Sequence, residues 1–86
     1  MENEKLSVII TGGASGIGEA IARIIINKGG NVGIIDLNSE KANTLSNELG
    51  ERCIFRQANV TDEPEFSKAY LSIKDMMPAV TGCVTC

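Results

Sequence analysis

The chain predicts an α/β fold, a four-stranded parallel sheet threaded β-α-β-α-β-α-β. Three observations carry this. Short runs of branched aliphatic residues alternate with stretches of helical period, joined by short connections. A glycine-rich turn, Thr11-Gly12-Gly13-Ala14-Ser15-Gly16-Ile17-Gly18, links the first such run to the first helical stretch. The apolar mass is Ile, Val, Leu and Ala, with Phe55, Phe66 and Tyr70 the only aromatics. Strands alternating with helices imply parallel pairing with right-handed crossovers. Branched aliphatics suit strands covered on both faces.

Taken in order, Leu6–Thr11 reads as a buried strand stopped by glycine. Apolar residues at Ile17, Ala20, Ile21, Ile24 and Ile25 set a helical stripe running to about Lys28. Gly29-Gly30 closes that helix. Asn31–Asp36 is a second strand ending on a carboxylate. Asn38 and Ser39 offer N-caps for a second helix, which carries Ala42, Leu45 and Leu49 inward and stops at Gly50. Cys53–Val60 reads as a third strand. Thr61-Asp62-Glu63-Pro64-Glu65 opens a third helix, with a capping hydroxyl, acidic residues against the macrodipole and a first-turn proline. Its buried face is Phe66, Ala69, Tyr70 and Ile73, and Pro78 ends it. Val80–Cys86 reads as a fourth strand.

Eighty-six residues allow one domain at most, below the usual size of about 100–150 residues. A chain this short buries only about 60–65% of its unfolded surface, so marginal stability is expected. The net charge is −3 without a Lys/Arg cluster, which argues against nucleic acid and anionic membranes as partners. The polar start Met1-Glu2-Asn3-Glu4-Lys5 does not resemble a signal peptide. No stretch reaches the ~18–20 apolar residues of a membrane span. Three cysteines argue against a secreted disulfide framework. An intracellular, cytoplasmic chain is expected.

The glycine turn has a chemical reading. Gly12 takes the tight turn off the strand, Gly16 lets backbone approach a phosphate, and Gly18 lets the helix pack close to the sheet. The N–H groups near Ser15, Ile17 and Gly18 then face an anion at the positive end of a helix. Asp36, 18 residues after Gly18, can accept hydrogen bonds from a ribose diol and would repel a 2′-phosphate. Leu37-Asn38-Ser39 follow it and supply no cation, which favours NAD over NADP.

The spacing Thr-Gly-x-x-x-Gly-x-Gly resembles that of the short-chain dehydrogenase/reductase family, and Thr11, Gly12, Gly16, Ile17 and Gly18 match its fixed positions. The resemblance implies a partial Rossmann-type doubly wound sheet over residues 1–86, a single dinucleotide-binding domain stopping at strand four. It implies an oxidoreductase whose Ser, Tyr and Lys catalysts lie outside these residues, so the chain alone is expected to be inactive. In the family an Asp-Val pair ends strand three and contacts the adenine; here Asn59-Val60 stands there. Asn59 keeps an acceptor oxygen without the charge, so weakened adenine affinity is expected. Thr85-Cys86 falls where the family carries Asn-Asn-Ala-Gly or Asn-Cys-Ala-Gly.

Other patterns carry less. Cys83-x-x-Cys86 on a strand points its thiols to opposite faces, so no metal or redox pair is expected. Cys53 reads as a core residue. The chain has no His. Tyr70 and Lys74 have the family's catalytic spacing, but Tyr70 belongs to the apolar stripe of the third helix, so no catalytic residue is assigned. A non-catalytic nucleotide-binding or interaction module is the alternative function, with self-association through the open strand-four edge. S-adenosylmethionine or nucleotide-sugar binding is disfavoured by the glycine spacing.

Overall fold

The computed structural model describes residues 6–12, 16–77 and 80–85. Its elements are β1 (Ser7–Thr11), α1 (Gly16–Asn27), β2 (Asn31–Asp36), α2 (Ser39–Leu49), β3 (Cys53–Gln57), α3 (Glu63–Met76) and β4 (Gly82–Thr85). The four strands form one parallel sheet in the order β3-β2-β1-β4. The chain winds outward from β1 through β2 to β3, then returns through α3 to the other side of β1. Between β1 and β4 the winding reverses, and ligands of such sheets bind beyond the carboxyl ends of strands at that switch.

Alternation along the strands builds two cores. Val8, Ile10, Val32, Ile34 and Cys53 face Ala22 and Ile25 of α1 and Ala42 and Leu45 of α2. Ile9 and Ile35 face the opposite way, onto Ala69 and Ile73 of α3 and Met77 beyond it. A sheet covered on both faces is the reason β1 is buried along its whole length, in keeping with its unbroken aliphatic run.

The glycine stop of α1 forms as expected. Gly30 N–H donates to Ile25 O at 2.9 Å and Gly29 N–H to Ile26 O at 3.0 Å, with Gly29 at φ 87°, the paired bonds that terminate a helix in a left-handed residue. Asn38 caps α2 by accepting from Lys41 N–H at 3.1 Å.

Four details depart from the sequence reading. The buried line of α1 is Gly18, Ala22 and Ile25, whereas Ile17 and Ile24 are exposed. Ile21 and Ile26 pack partly buried against the core that Ala22 and Ile25 enter. β3 stops at Gln57, because its partner β2 stops at Asp36, the residue opposite. The cap of α3 is Asp62, which accepts from Glu65 N–H at 3.2 Å, and Thr61 serves Asn59 instead. β4 spans Gly82–Thr85, and Thr81 before it exchanges hydrogen bonds with Ser7: the Ser7 N–H donates to Thr81 Oγ1 at 3.0 Å and Thr81 N–H to Ser7 O at 2.7 Å. Pro78 and Cys86 lie outside the described residues.

Cys53 sits in the core as read, and burial pushes its thiol up to about 11 from an ordinary 9.0. Its contribution to stability is complete below pH 9 and is lost as pH rises toward 11, because the unfolded thiol ionises first. Wild type is expected to lose about 1–2 kcal/mol more than Cys53→Val between pH 8 and 11, measured by urea unfolding.

Candidate functional site

The carboxyl ends of β1, β2 and β3 open into one cleft of about 200 Å³, lined by Thr11, Gly12, Ile35, Asp36, Leu37, Ala58, Asn59 and Val60. Strand register assembles it: Thr11 lies beside Ile35, and Asp36 beside Gln57. Gly12 leaves β1 at φ 69° while its N–H donates to Ile35 O at 2.9 Å. The turn therefore departs the sheet without releasing β2. A left-handed backbone here requires glycine.

Gly16, the first residue of α1, stands at φ 61°, and a Cβ built on it would meet nothing within 4 Å. The space over the start of the helix is open, and the absence of a side chain keeps it so. Gly18 is buried and Ile17 is exposed. Ser15 lies outside the described residues.

Asp36 ends β2 half-buried, and its Oδ1 accepts from Asn38 N–H at 2.9 Å. That local turn fixes the carboxylate at the mouth of the cleft, where it is the one charged residue among those lining it. Gln57 Nε2 donates to Leu37 O at 3.2 Å and so steadies the segment after Asp36.

Asn59 is held from both ends. Its backbone N–H donates to the Glu65 carboxylate. Its side-chain Oδ1 accepts from Thr61 N–H at 3.0 Å and from Thr61 Oγ1 at 2.6 Å. The oxygen expected to serve a ligand is thus engaged within the chain. Val60 follows at the rim, half-exposed.

The sequence reading missed Thr11, Leu37 and Ala58 as cleft walls. Leu37 carried a signal, being a large apolar residue placed between a strand and a helix cap. Glu65 was read as a helix-dipole residue only, and it also anchors Asn59. Tyr70 is half-buried against Phe66, with ring centroids 6.1 Å apart, under the α3 face of the sheet, and Lys74 is exposed. Neither lines the cleft.

A larger groove, about 440 Å³, lies between α1 and α2. Three of its charges satisfy one another: Arg23 pairs with Glu19 at 2.8 Å and grips Glu48 through both terminal nitrogens, at 2.9 and 3.1 Å. The pairing holds the Glu48 carboxyl below its usual range and raises the Arg23 guanidinium. Exposed ion pairs of this kind contribute little to stability. Among the described residues there is no group of three His, Cys, Asp or Glu placed to hold a metal ion, and no helix long and apolar enough to cross a membrane.

The family described as short chain dehydrogenase matches residues 6–86. The chain is similar to 3-hydroxyacyl-CoA dehydrogenase type-2 of Drosophila melanogaster, 37% identical over 78 residues, covering 91% of this chain and 31% of that protein. It is 35% identical to the Rattus norvegicus protein of the same name over 81 residues, covering 94% and 31%. Among solved structures, 3-hydroxyacyl-CoA dehydrogenase type-2 from Mycobacterium avium superimposes with a TM-score of 0.86 at 35% identity, over 99% of this chain and 33% of that one. A 3-ketoacyl-(acyl-carrier-protein) reductase from Brucella melitensis, complexed with NADH, gives 0.88 at 25% identity, over 93% and 33%. The chain thus spans about a third of the length of these relatives. In sequence, strand order and helix placement, it belongs to the short-chain dehydrogenase/reductase family.

Proposed function

We propose that residues 1–86 are the NAD(H)-binding segment of a short-chain dehydrogenase/reductase oxidoreductase, forming one partial dinucleotide-binding domain. The observation that carries this is the open space over Gly16 at the start of α1, beside the strand-end cleft that Gly12 and Asp36 line. The residues present fit a dinucleotide. Gly12, whose own N–H stays on Ile35 O, turns the chain toward the pyrophosphate, and Ser15, Gly16, Ile17 and Gly18 are assigned to hold it at the positive end of α1. Asp36 accepts from the adenosine ribose diol. Asn59 and Val60 flank the base, between the apolar side chains of Leu37 and Val60.

When bound, the nicotinamide supplies or accepts the hydride exchanged with an alcohol or ketone. This chain's own residues bind and orient it. None of them is assigned the proton transfer: the sequence has no His, and its single Tyr packs in the α3 core. No alcohol-dependent NADH formation is expected from residues 1–86.

The cofactor preference rests on charge. A 2′-phosphate beside Asp36 meets a like charge, and among the described residues no Lys or Arg lines the cleft. Calorimetric titration is expected to show NAD binding at least about tenfold tighter than NADP. Asp36→Ala should weaken NAD and narrow that gap to about threefold or less. Tighter binding of NADP by the wild-type chain would overturn the assignment of Asp36.

A further inference from the structure

We propose that Arg56 is a strap that closes the free edge of β3 to a strand of a second copy of this chain. β3 ends the sheet order β3-β2-β1-β4, so one side of it has no neighbouring strand. Alternation decides which groups that side carries. Arg52 O accepts from Val32 N–H, and Ala58 N–H donates to Asp36 O, so the even-numbered residues turn toward β2. Cys53, Phe55 and Gln57 therefore turn their N–H and C=O groups outward.

The start of this edge is occupied by the end of α2 and the turn after it. Cys53 N–H donates to Gly50 O at 3.1 Å, and Cys53 O accepts from Ser46 Oγ at 2.9 Å. Further along, Arg56 takes over. It lies beside Ile35 in the register, on the α3 face of the sheet. Its Nε donates to Ser72 Oγ at 2.9 Å and its Nη2 to Met76 Sδ at 3.0 Å, both on α3. Its Nη1 donates to Phe55 O at 2.8 Å. One planar fork thus ties the helix to the outward carbonyl of the edge.

A strand paired at Phe55 must bond both its N–H and its C=O, whichever way that strand runs. The Arg56 nitrogen already stands at hydrogen-bond distance from that oxygen. Charge adds to the obstacle, because among the described residues no carboxylate pairs with Arg56. Two copies meeting at this edge would bring two guanidinium groups to one seam. Charge laid along an edge strand keeps it from pairing. A second copy is the occupant excluded, since every copy offers the same edge and a two-fold joins like to like. The strap acts whether or not a dinucleotide is bound.

The test compares wild type, Arg56→Met and Arg52→Met by sedimentation over a concentration series. Circular dichroism confirms the fold, and amide hydrogen exchange locates the contact. Arg56→Met keeps an apolar stem beside α3 and removes the donors and the charge. Arg52 donates to Ile26 O instead, so Arg52→Met controls for loss of a positive charge near the same strand. Arg56→Met is expected to self-associate about tenfold or more tightly than wild type, with the Phe55 and Gln57 amides protected as concentration rises. Arg52→Met is expected to match wild type. A folded Arg56→Met that associates no more tightly than wild type overturns the proposal. So does tighter association that leaves those two amides unprotected, because another surface is then in use. Should Arg56→Met fail to fold, Arg56→Lys replaces it. Lysine keeps the stem and the charge but cannot hold Ser72 and Phe55 at once, and about threefold tighter association is expected. No change in that variant overturns the proposal.

Discussion

Gly33→Ala is expected to destabilise the chain by about 2–3 kcal/mol, although it adds only a methyl group to a strand. Gly33 sits in the middle of β2, between Ile9 of β1 and Ile54 of β3. A Cβ there would come 2.4 Å from Ile73 Cγ2 and 3.3 Å from Met77 Sδ. Ile73 is fully buried, and its branched Cβ leaves it few alternative rotamers. Either α3 lifts from the sheet or the side chain leaves its rotamer. Alanine also restricts the unfolded chain, which favours folding by about 0.4–1 kcal/mol, but the overlap is the larger effect. The expected fall in Tm is about 10–20 °C. Ile73→Leu removes the offending Cγ2, so adding it to Gly33→Ala should recover more than half of the loss. An unchanged Tm for Gly33→Ala would show that α3 does not pack as described.

Gly16→Ala is expected to leave the fold intact and to weaken NAD binding by about 10–100-fold. The two effects separate for a structural reason. Among the described residues a methyl group at Gly16 meets no atom within 4 Å beyond its chain neighbours and its own helix backbone, so its folding cost is the left-handed φ of 61°, about 1–2 kcal/mol. The same methyl projects into the space through which a phosphate must reach the N–H groups of α1. Losing one such charge-assisted bond costs about 1.5–3 kcal/mol. Gly50→Ala is the control. Gly50 also has a positive φ, 92°, with nothing within 4 Å, but its ψ of −162° lies in a region open almost only to glycine, and it closes α2 and does not line the cleft. It should lose at least as much stability and bind NAD as wild type does. Equal binding losses in both variants would mean that backbone strain, and not the cradle, is being measured.

The parts legible in the sequence are those set by period and punctuation. β1 and β2 follow from their short branched-aliphatic runs, and the stops of α1 and α2 from Gly29-Gly30 and Gly50. The rotation of α1 was not legible, because Ile17, Ile21, Ile24, Ile25 and Ile26 cover several sides of one helix. Packing of Ala22 and Ile25 into the core, with Gly18 buried on the same line, decides which of them face inward. The length of β3 was hidden for a different reason. Cys53–Val60 has strand character throughout, but a strand ends where its partner ends, and β2 stops at Asp36. The lock between Asn59 and Thr61 had a local signal, an Asn two residues before a Thr at a strand end, which favours a side-chain turn. Gly33 also carried one, since glycine inside a strand marks a close approach.

The central claim is that a dinucleotide lies across the carboxyl ends of β1, β2 and β3. An NAD titration followed by amide chemical shifts tests it most directly. The account predicts changes concentrated at Gly12, Gly16–Gly18, Asp36–Leu37 and Asn59–Val60, with the α1–α2 groove around Arg23 and Glu48 unmoved. No change at millimolar NAD, or changes confined to that groove, would contradict it.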